Sequence, residues 1–181
     1  MFTLVTGNPG KLAEWERLVP ADVILESVDI ELPEIQSLDS REIAADKARR
    51  AYEIVGKPVV VEDLAAGLDI LNDLPGPFIK FFQKELGTNA LYQLAGKESA
   101  ATVSCTICYY NGTDYVYGES IVHGTAVQAR GKNGFGFDFC FMPHGQSMTY
   151  AEMTPTQKDA LSHRRLAVDD LLAQLPPHRE L

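Results

Sequence analysis

The sequence predicts an α/β fold with a mixed β-sheet flanked by helices, and three observations predict it. Apolar runs of strand period interleave with stretches of helical period along the chain. Residues 102–110 and 115–122, joined by Asn111-Gly-Thr-Asp114, read as one long antiparallel hairpin among them. The chain has 181 residues, 45% of them hydrophobic, with no linker-like stretch, so residues 1–181 are expected to form a single domain with its own core.

Taken in order, Phe2-Thr-Leu-Val-Thr6 is a short strand and Gly7-Asn-Pro-Gly10 is turn chemistry. Leu12, Trp15, Leu18 and Val19 have helical spacing, and Pro20 stops that helix. Residues 23–30 form a second strand. Asp39, with Glu42 three residues on, predicts a capping box for a helix that reaches Val55 and closes at Gly56. Val59-Val-Val61 is a compact strand buried on both faces, followed at once by Glu62 and Asp63. Residues 78–86 are helical up to Gly87, and a short helix follows over 89–94. Phe135, Phe137, Phe139 and Phe141 alternate with Gly136, Asp138 and Cys140, and residues 155–175 are helical with a break at Ser162.

The net charge of −9, from 16 Lys and Arg against 25 Asp and Glu, excludes an electrostatic footprint for nucleic acid or an anionic membrane. An anionic ligand would need positive charge concentrated in one pocket. No apolar run approaches the ~20 residues that span a bilayer, and the N-terminus has no basic leader with a long apolar stretch. Cys105, Cys108 and Cys140 cannot all pair. A reducing cytoplasm is the expected location. Cys105-x-x-Cys108 lies in a strand pattern that points its thiols to opposite faces, so both are read as buried structural cysteines. His123, His144 and His178 have no metal-ligand spacing.

Five places can carry chemistry. In Thr6-Gly-Asn-Pro-Gly-Lys11 a strand, a glycine turn and a helix start leave backbone N–H groups for an anion, with Lys11 adding a full charge. It is not a Walker A loop, because the spacing is short and Leu12 stands where Ser or Thr would hold magnesium. The alternative is an ordinary strand–turn–helix connection. Glu62 and Asp63 at the end of a buried strand need solvent, a partner or a metal. One carboxylate on Mg²⁺ and the other on a water is a plausible division, provided the strand ends or bends there. Lys47 shares a helix face with Ile43, Ala51 and Ile54, so it either snorkels to water, the commoner outcome, or reaches a buried anion. Phe135-Gly-Phe-Asp138 sets rings beside a glycine, where a flat ligand can stack; Phe139 and Phe141 are read as core. Lys158 and Ser162-His-Arg-Arg165 add a cationic cluster whose alternative is a charged helix face.

In this order the pieces resemble the inosine triphosphate pyrophosphatase family, over most of the chain from Thr6 to Arg164. Thr6-Gly-Asn-Pro-Gly-Lys11 is similar to its phosphate loop, and Leu32-Pro-Glu-Ile-Gln36 to its segment with a metal-binding glutamate. Val61-Glu-Asp63 and Leu74-Pro-Gly-Pro-Phe-Ile-Lys80 resemble its acidic motif and the lysine helix after it. Gly134-Phe-Gly-Phe-Asp138, Ala151-Glu-Met153, Lys158 and Ser162-His-Arg164 complete the pattern. Two departures stand out: Leu64 replaces the usual Ser or Thr after the acidic pair, and Phe139 replaces the Pro after the aromatic-Asp motif.

The resemblance implies an elongated two-lobed body with the nucleotide cleft between lobes, commonly as a homodimer. It also implies hydrolysis of non-standard purine nucleoside triphosphates (ITP, dITP, XTP) to monophosphate and pyrophosphate. Asp63 would orient or deprotonate water, and Glu34 and Glu62 would hold Mg²⁺. Thr6, Gly7, Asn8, Pro9, Gly10, Lys11, Lys47 and Lys80 would meet the phosphates. Phe135, Gly136, Phe137, Asp138, Lys158, His163 and Arg164 would meet the base, with Arg164 offering donors to its six-position oxygen. A nucleotide sensor with weak catalysis, favoured by Leu64, and a pyrophosphatase for modified pyrimidine nucleotides are the alternatives.

Overall fold

The structure is a computed structural model and describes residues 2–175, with no side-chain description for Phe2. His178 lies outside the described residues. The elements are β1 (Phe2–Val5), α1 (Pro9–Leu18), β2 (Leu25–Val28), α2 (Ser40–Val55), β3 (Val59–Leu68), β4 (Leu74–Gly76), α3 (Ile79–Leu86), α4 (Ala90–Ala95), β5 (Ser99–Tyr110), β6 (Tyr115–Ala126), β7 (Phe141–Pro143), α5 (Pro155–Asp159) and α6 (His163–Gln174). Among the described residues the sheet has seven strands, in the order β2-β1-β3-β5-β6-β7 with β4 paired to β3. β1 is parallel to β2 and β3, while β3–β4 and β6–β7 are antiparallel, so the sheet is mixed as the alternating pattern predicts.

The described residues fall into two compact units, one of 2–63, 105–120 and 164–175, the other of 64–104 and 121–163. The core of the first collects Val5, Val59, Val61 and Cys108 against Ala44, Ala48 and Ala51 of α2. Those three alanines recur at helical spacing, and their small side chains keep that face of α2 close to the strands. Asp39 caps α2 by accepting from Arg41 N at 2.8 Å, and Gly56 closes it in the left-handed region at φ 71°. The expected capping box does not form. Glu42 accepts instead from Ser37 Oγ at 2.7 Å, and that hydroxyl also takes the Asp39 N–H. Ile54, placed by periodicity on the buried face of α2, is exposed.

The larger correction concerns β3. It does not end at Glu62-Asp63 but continues through them to Leu68, ten residues in all. Extended backbone can carry two buried carboxylates onward only because the fold supplies donors for them.

The second unit has its own core, in which Leu68, Ile79, Leu91, Val103, Phe141, Tyr150 and Met153 are buried together with Phe137. Gly136–Phe139 is a single 3₁₀ turn, which sends Phe137 and Phe141 into that core and leaves Phe139 half-buried. Cys105, Cys108 and Cys140 are buried free thiols, as the strand pattern predicts for the first two. Among the described residues no helix is long and apolar enough to cross a membrane.

The first unit also contains a backbone-to-backbone contact that only glycine permits. A Cβ at Gly118 of β6 would sit 2.2 Å from Ala167 O and 2.7 Å from Leu171 N, both in α6. Gly118→Ala should push α6 off the strand and lower stability by roughly 1–3 kcal/mol, the usual range for overpacking. A lower urea midpoint with native-like far-UV circular dichroism is the expected measurement.

Candidate active site

Glu62 organises the first unit. It is 3% exposed, and its two oxygens accept three hydrogen bonds and one lysine ion pair. Oε1 receives Arg164 Nη2 at 2.8 Å and Lys11 Nζ at 3.0 Å. Oε2 receives Arg164 Nε at 2.9 Å and the Trp15 indole N–H at 2.9 Å. The remaining Arg164 Nη1 pairs with Glu14, another buried carboxylate. Lys11, Glu14 and Trp15 stand at i, i+3 and i+4 on α1, so one helix face presents all three. Burial pushes the Glu62 carboxyl up, but the Arg164 and Lys11 charges and the donated hydrogen bonds outweigh it and hold it well below its ordinary value.

Its neighbour behaves oppositely. Asp63 is also buried, and burial pushes its carboxyl above its ordinary value against the Ser40 hydrogen bond and the charges of Lys47 and Lys11. Its Oδ2 is shielded from solvent and has no hydrogen-bond partner among the described residues. Lys47 reaches inward rather than snorkelling, which corrects the commoner expectation. Its Nζ donates to Glu34 Oε1 at 2.9 Å and to the Glu62 backbone carbonyl at 3.0 Å. The physical reason is the carboxylate charge waiting there. Burial lowers the Lys47 pKa, while Asp63 and Glu62 pull the other way.

The loop at Thr6–Lys11 is built differently from the anion nest that the sequence suggests. Thr6 N donates to Val28 O, Asn8 N to Thr6 Oγ1, and Gly10 N and Lys11 N to the capping Asn8 Oδ1; Pro9 has no N–H. Most of the amides counted on for an anion are spent on the helix start, so charge at this end comes chiefly from Lys11. A Cβ at Gly7 would stand 2.4 Å from Oδ1 of the exposed Asp29, so a larger residue there would have to move that side chain.

The second unit holds the other expected residues. Asp138 folds back across its turn, accepting Phe135 N at 2.8 Å and the buried Lys158 ammonium at 2.6 Å, both on Oδ2. Gly134 makes room, since a Cβ there would lie 2.2 Å from that oxygen. Lys158 Nζ also lies 5.3 Å from the centre of the Phe135 ring and 5.4 Å from that of Tyr150. His163 is buried with its ring 5.3 Å from Phe137 and 5.7 Å from Tyr150. Lys158, Ser162, His163 and Arg164 are therefore interior, not a charged helix face; Arg165 alone of that run pairs on the surface, with Asp169. Lys80 is exposed on α3, where it lines a cavity of about 290 Å³ with Gln83, Lys84, Thr88 and Gly136.

Lys11, Lys47, Glu34, Glu62, Asp63 and Arg164 thus assemble in the first unit, and Lys80, Phe135, Gly136, Phe137, Asp138, Lys158 and His163 in the second. Arg164 differs from its expected part as a donor to a base edge, because Nε, Nη1 and Nη2 are all engaged by Glu62 and Glu14. Sequence reasoning missed Glu14, Trp15 and Ser40. The i, i+3, i+4 spacing from Lys11 was the available signal for the first two; Ser40 had none. Among the described residues no three His, Cys, Asp or Glu side chains form a metal cage, so a cation here would rest on two carboxylates and its ligand's own oxygens. Mg²⁺ is commonly held that way, and an all-oxygen donor set suits it.

The Ham1 family matches residues 2–174. The chain is 39% identical over 168 residues to an inosine triphosphate pyrophosphatase of Schizosaccharomyces pombe, covering 90% of this chain and 88% of the relative. It is 41% identical to one of Yarrowia lipolytica, covering 92% and 91% of the two chains. Among solved structures, a HAM1 protein from Coxiella burnetii superposes with a TM-score of 0.76 at 27% identity, covering 96% of this chain and 98% of that one. A nucleoside-triphosphatase (dITP/XTP pyrophosphatase) from Mycobacterium abscessus gives 0.66 at 31% identity, covering 98% and 100%.

Removing Arg164 would strand Glu62 and Glu14 together. Arg164→Met should cost about 3–5 kcal/mol in denaturant unfolding at neutral pH. Because the folded-state pKa of Glu62 lies below its unfolded value, its stabilising contribution is complete above that unfolded value and is lost as pH falls through the folded one. Glu62→Gln should therefore show a shallower loss of stability on acidification, measured as urea midpoints between neutral and strongly acidic pH.

Proposed function

The chain belongs to the Ham1 family, and from that premise we propose that it hydrolyses non-standard purine nucleoside triphosphates, ITP, dITP and XTP, to the monophosphate and pyrophosphate. The observation that carries the reading is Asp63: a buried carboxylate with a raised pKa and one unpartnered oxygen, beside two lysine–glutamate pairs. Such an oxygen is suited to accept a proton from water. Water oxygen bonds to the α-phosphorus, its proton passes to Asp63 Oδ2, and the bond between the α-phosphorus and the bridging oxygen breaks to release pyrophosphate. Lys11, Lys47 and Lys80 neutralise phosphate oxygens. Glu34 and Glu62 would hold Mg²⁺, which when bound would supply charge neutralisation at the phosphates. Thr6 to Gly10 shape the loop that presents Lys11.

Base recognition falls to the second unit. Phe135 stacks on the purine, and the amides near Phe135–Asp138 or the His163 imidazole donate to an oxygen at the six position. Adenine puts a donor there, and burying an unpaired donor costs ~1–3 kcal/mol, enough for rejection by ten- to a few-hundredfold. Arg164 acts from beneath by positioning Glu62. The buried free thiols support a reducing cytoplasm, and a homodimer is part of the proposal from family resemblance.

Product analysis tests the reaction. Pyrophosphate and monophosphate are expected in equal amounts; orthophosphate with a diphosphate refutes the reading, and binding without turnover favours a sensor. Asp63→Asn should lose ~10²–10⁴ in turnover while still binding nucleotide. Asp63 works only when ionised, so its raised pKa shifts the acid limb of kcat/KM to higher pH than an ordinary aspartate would give. A substrate panel tests the second unit: ITP and XTP should exceed ATP by at least about tenfold. Phe135→Ala should weaken all purines without reordering them.

A further inference from the structure

We propose that Lys11 and Lys47 are resting counter-ions for the two carboxylates that take the cation, so that cation and phosphate binding are coupled through the exchange of two ion pairs. The inference rests on the pyrophosphatase reading and adds to it a specific thermodynamic role for these lysines. Each expected metal carboxylate is paired with an expected phosphate lysine: Glu62 with Lys11 at 3.0 Å, Glu34 with Lys47 at 2.9 Å.

The partners of Glu62 are not equally able to leave. The Arg164 side chain is completely buried, as is Trp15, whereas that of Lys11 is 20% exposed. Arg164 and Trp15 keep hold of the carboxylate while Lys11 swings off Oε1. At the second pair neither side chain is fully buried, Lys47 being 14% and Glu34 28% exposed. A cation arriving alone must displace an ammonium and leave it without its carboxylate. A phosphate arriving alone draws the lysine away and leaves a carboxylate facing an anion. When both arrive, the cation takes the carboxylates and the phosphate takes the lysines, so every charge keeps an opposite neighbour. By linkage, each ligand must raise the affinity of the other by the same factor.

Trp15 is the chain's single tryptophan and donates to Glu62, so its emission reports on that carboxylate. Mn²⁺ is the probe, titrated by quenching of Trp15 fluorescence with and without pyrophosphate. Lys11→Met should bind Mn²⁺ alone at least about fivefold more tightly than the unaltered protein, the lower end of usual coupling between sites. Its enhancement by pyrophosphate should shrink. Lys57→Met removes the same charge from an exposed pair with Glu26 and should change neither value. Lys47→Met repeats the test at Glu34 should Lys11→Met not fold. If the two site variants bind Mn²⁺ no more tightly than Lys57→Met, the exchange is wrong while hydrolysis stands. If Mn²⁺ binds none of these proteins, with or without pyrophosphate, the metal assignment itself falls and the exchange with it.

Discussion

The buried negative charge of Glu62 is the constraint on which the first unit depends. An ionised carboxylate with 3% of its surface exposed survives only if its charge is matched and its lone pairs are filled. α1 and α6 supply the donors from residues 47 and 102 positions away along the chain. Two acids, Glu14 and Glu62, meet two bases, Lys11 and Arg164, so the cluster is neutral even though the chain is strongly acidic. Its interlocking hydrogen bonds fix α1, β3 and α6 relative to one another. They also explain how β3 passes through two consecutive acids without breaking.

Adjacent carboxylates on one strand end up with opposite character because of the donors each receives. Glu62 receives three donated hydrogen bonds and faces two cations, and it stays ionised. Asp63 has weaker support, and burial wins over the Ser40 hydrogen bond and the nearby lysine charges. Environments that push neighbouring pKa values apart are how one site obtains a fixed charge and a proton acceptor from similar side chains. Backbone alternation makes the separation possible, since successive residues on a strand face different surroundings.

Much of the fold was legible because its signals are local. The Asp39 and Gly56 ends of α2, the 111–114 turn and the break at Ser162 each depend on residues within a few positions. The site was legible in composition but less so in arrangement. An acidic pair after a valine run looks like a strand end, and nothing nearby announces that an arginine 102 residues on will neutralise it. Lys47 reads as a snorkelling residue until Glu34 is seen opposite it. The Thr6–Lys11 turn looks like an anion nest because glycines and a helix start are visible, whereas the use of Asn8 Oδ1 as a cap for two of its amides is a conformational choice. Trp15 sits in an apolar helical stripe, where packing is the ordinary reading, and only the fold shows its N–H turned to a carboxylate.

The charge count at this site bears on how it can accept an anion at all. The sequence suggests that an acidic protein must gather positive charge in one pocket to hold a triphosphate. Around Glu62 and Asp63 the first unit instead gathers three cations, Lys11, Lys47 and Arg164, against four carboxylates, Glu14, Glu34, Glu62 and Asp63. With all four ionised the group carries one net negative charge, so it offers no electrostatic welcome to a polyanion on its own. In the proposed exchange, attraction would be created at the moment of binding, by a divalent cation that cancels the carboxylates and releases the lysines toward phosphate. On that proposal the resting ion pairs would be a form of selectivity: they would keep each charge satisfied against stray cations and stray anions alike, and yield only to a ligand that brings both signs together.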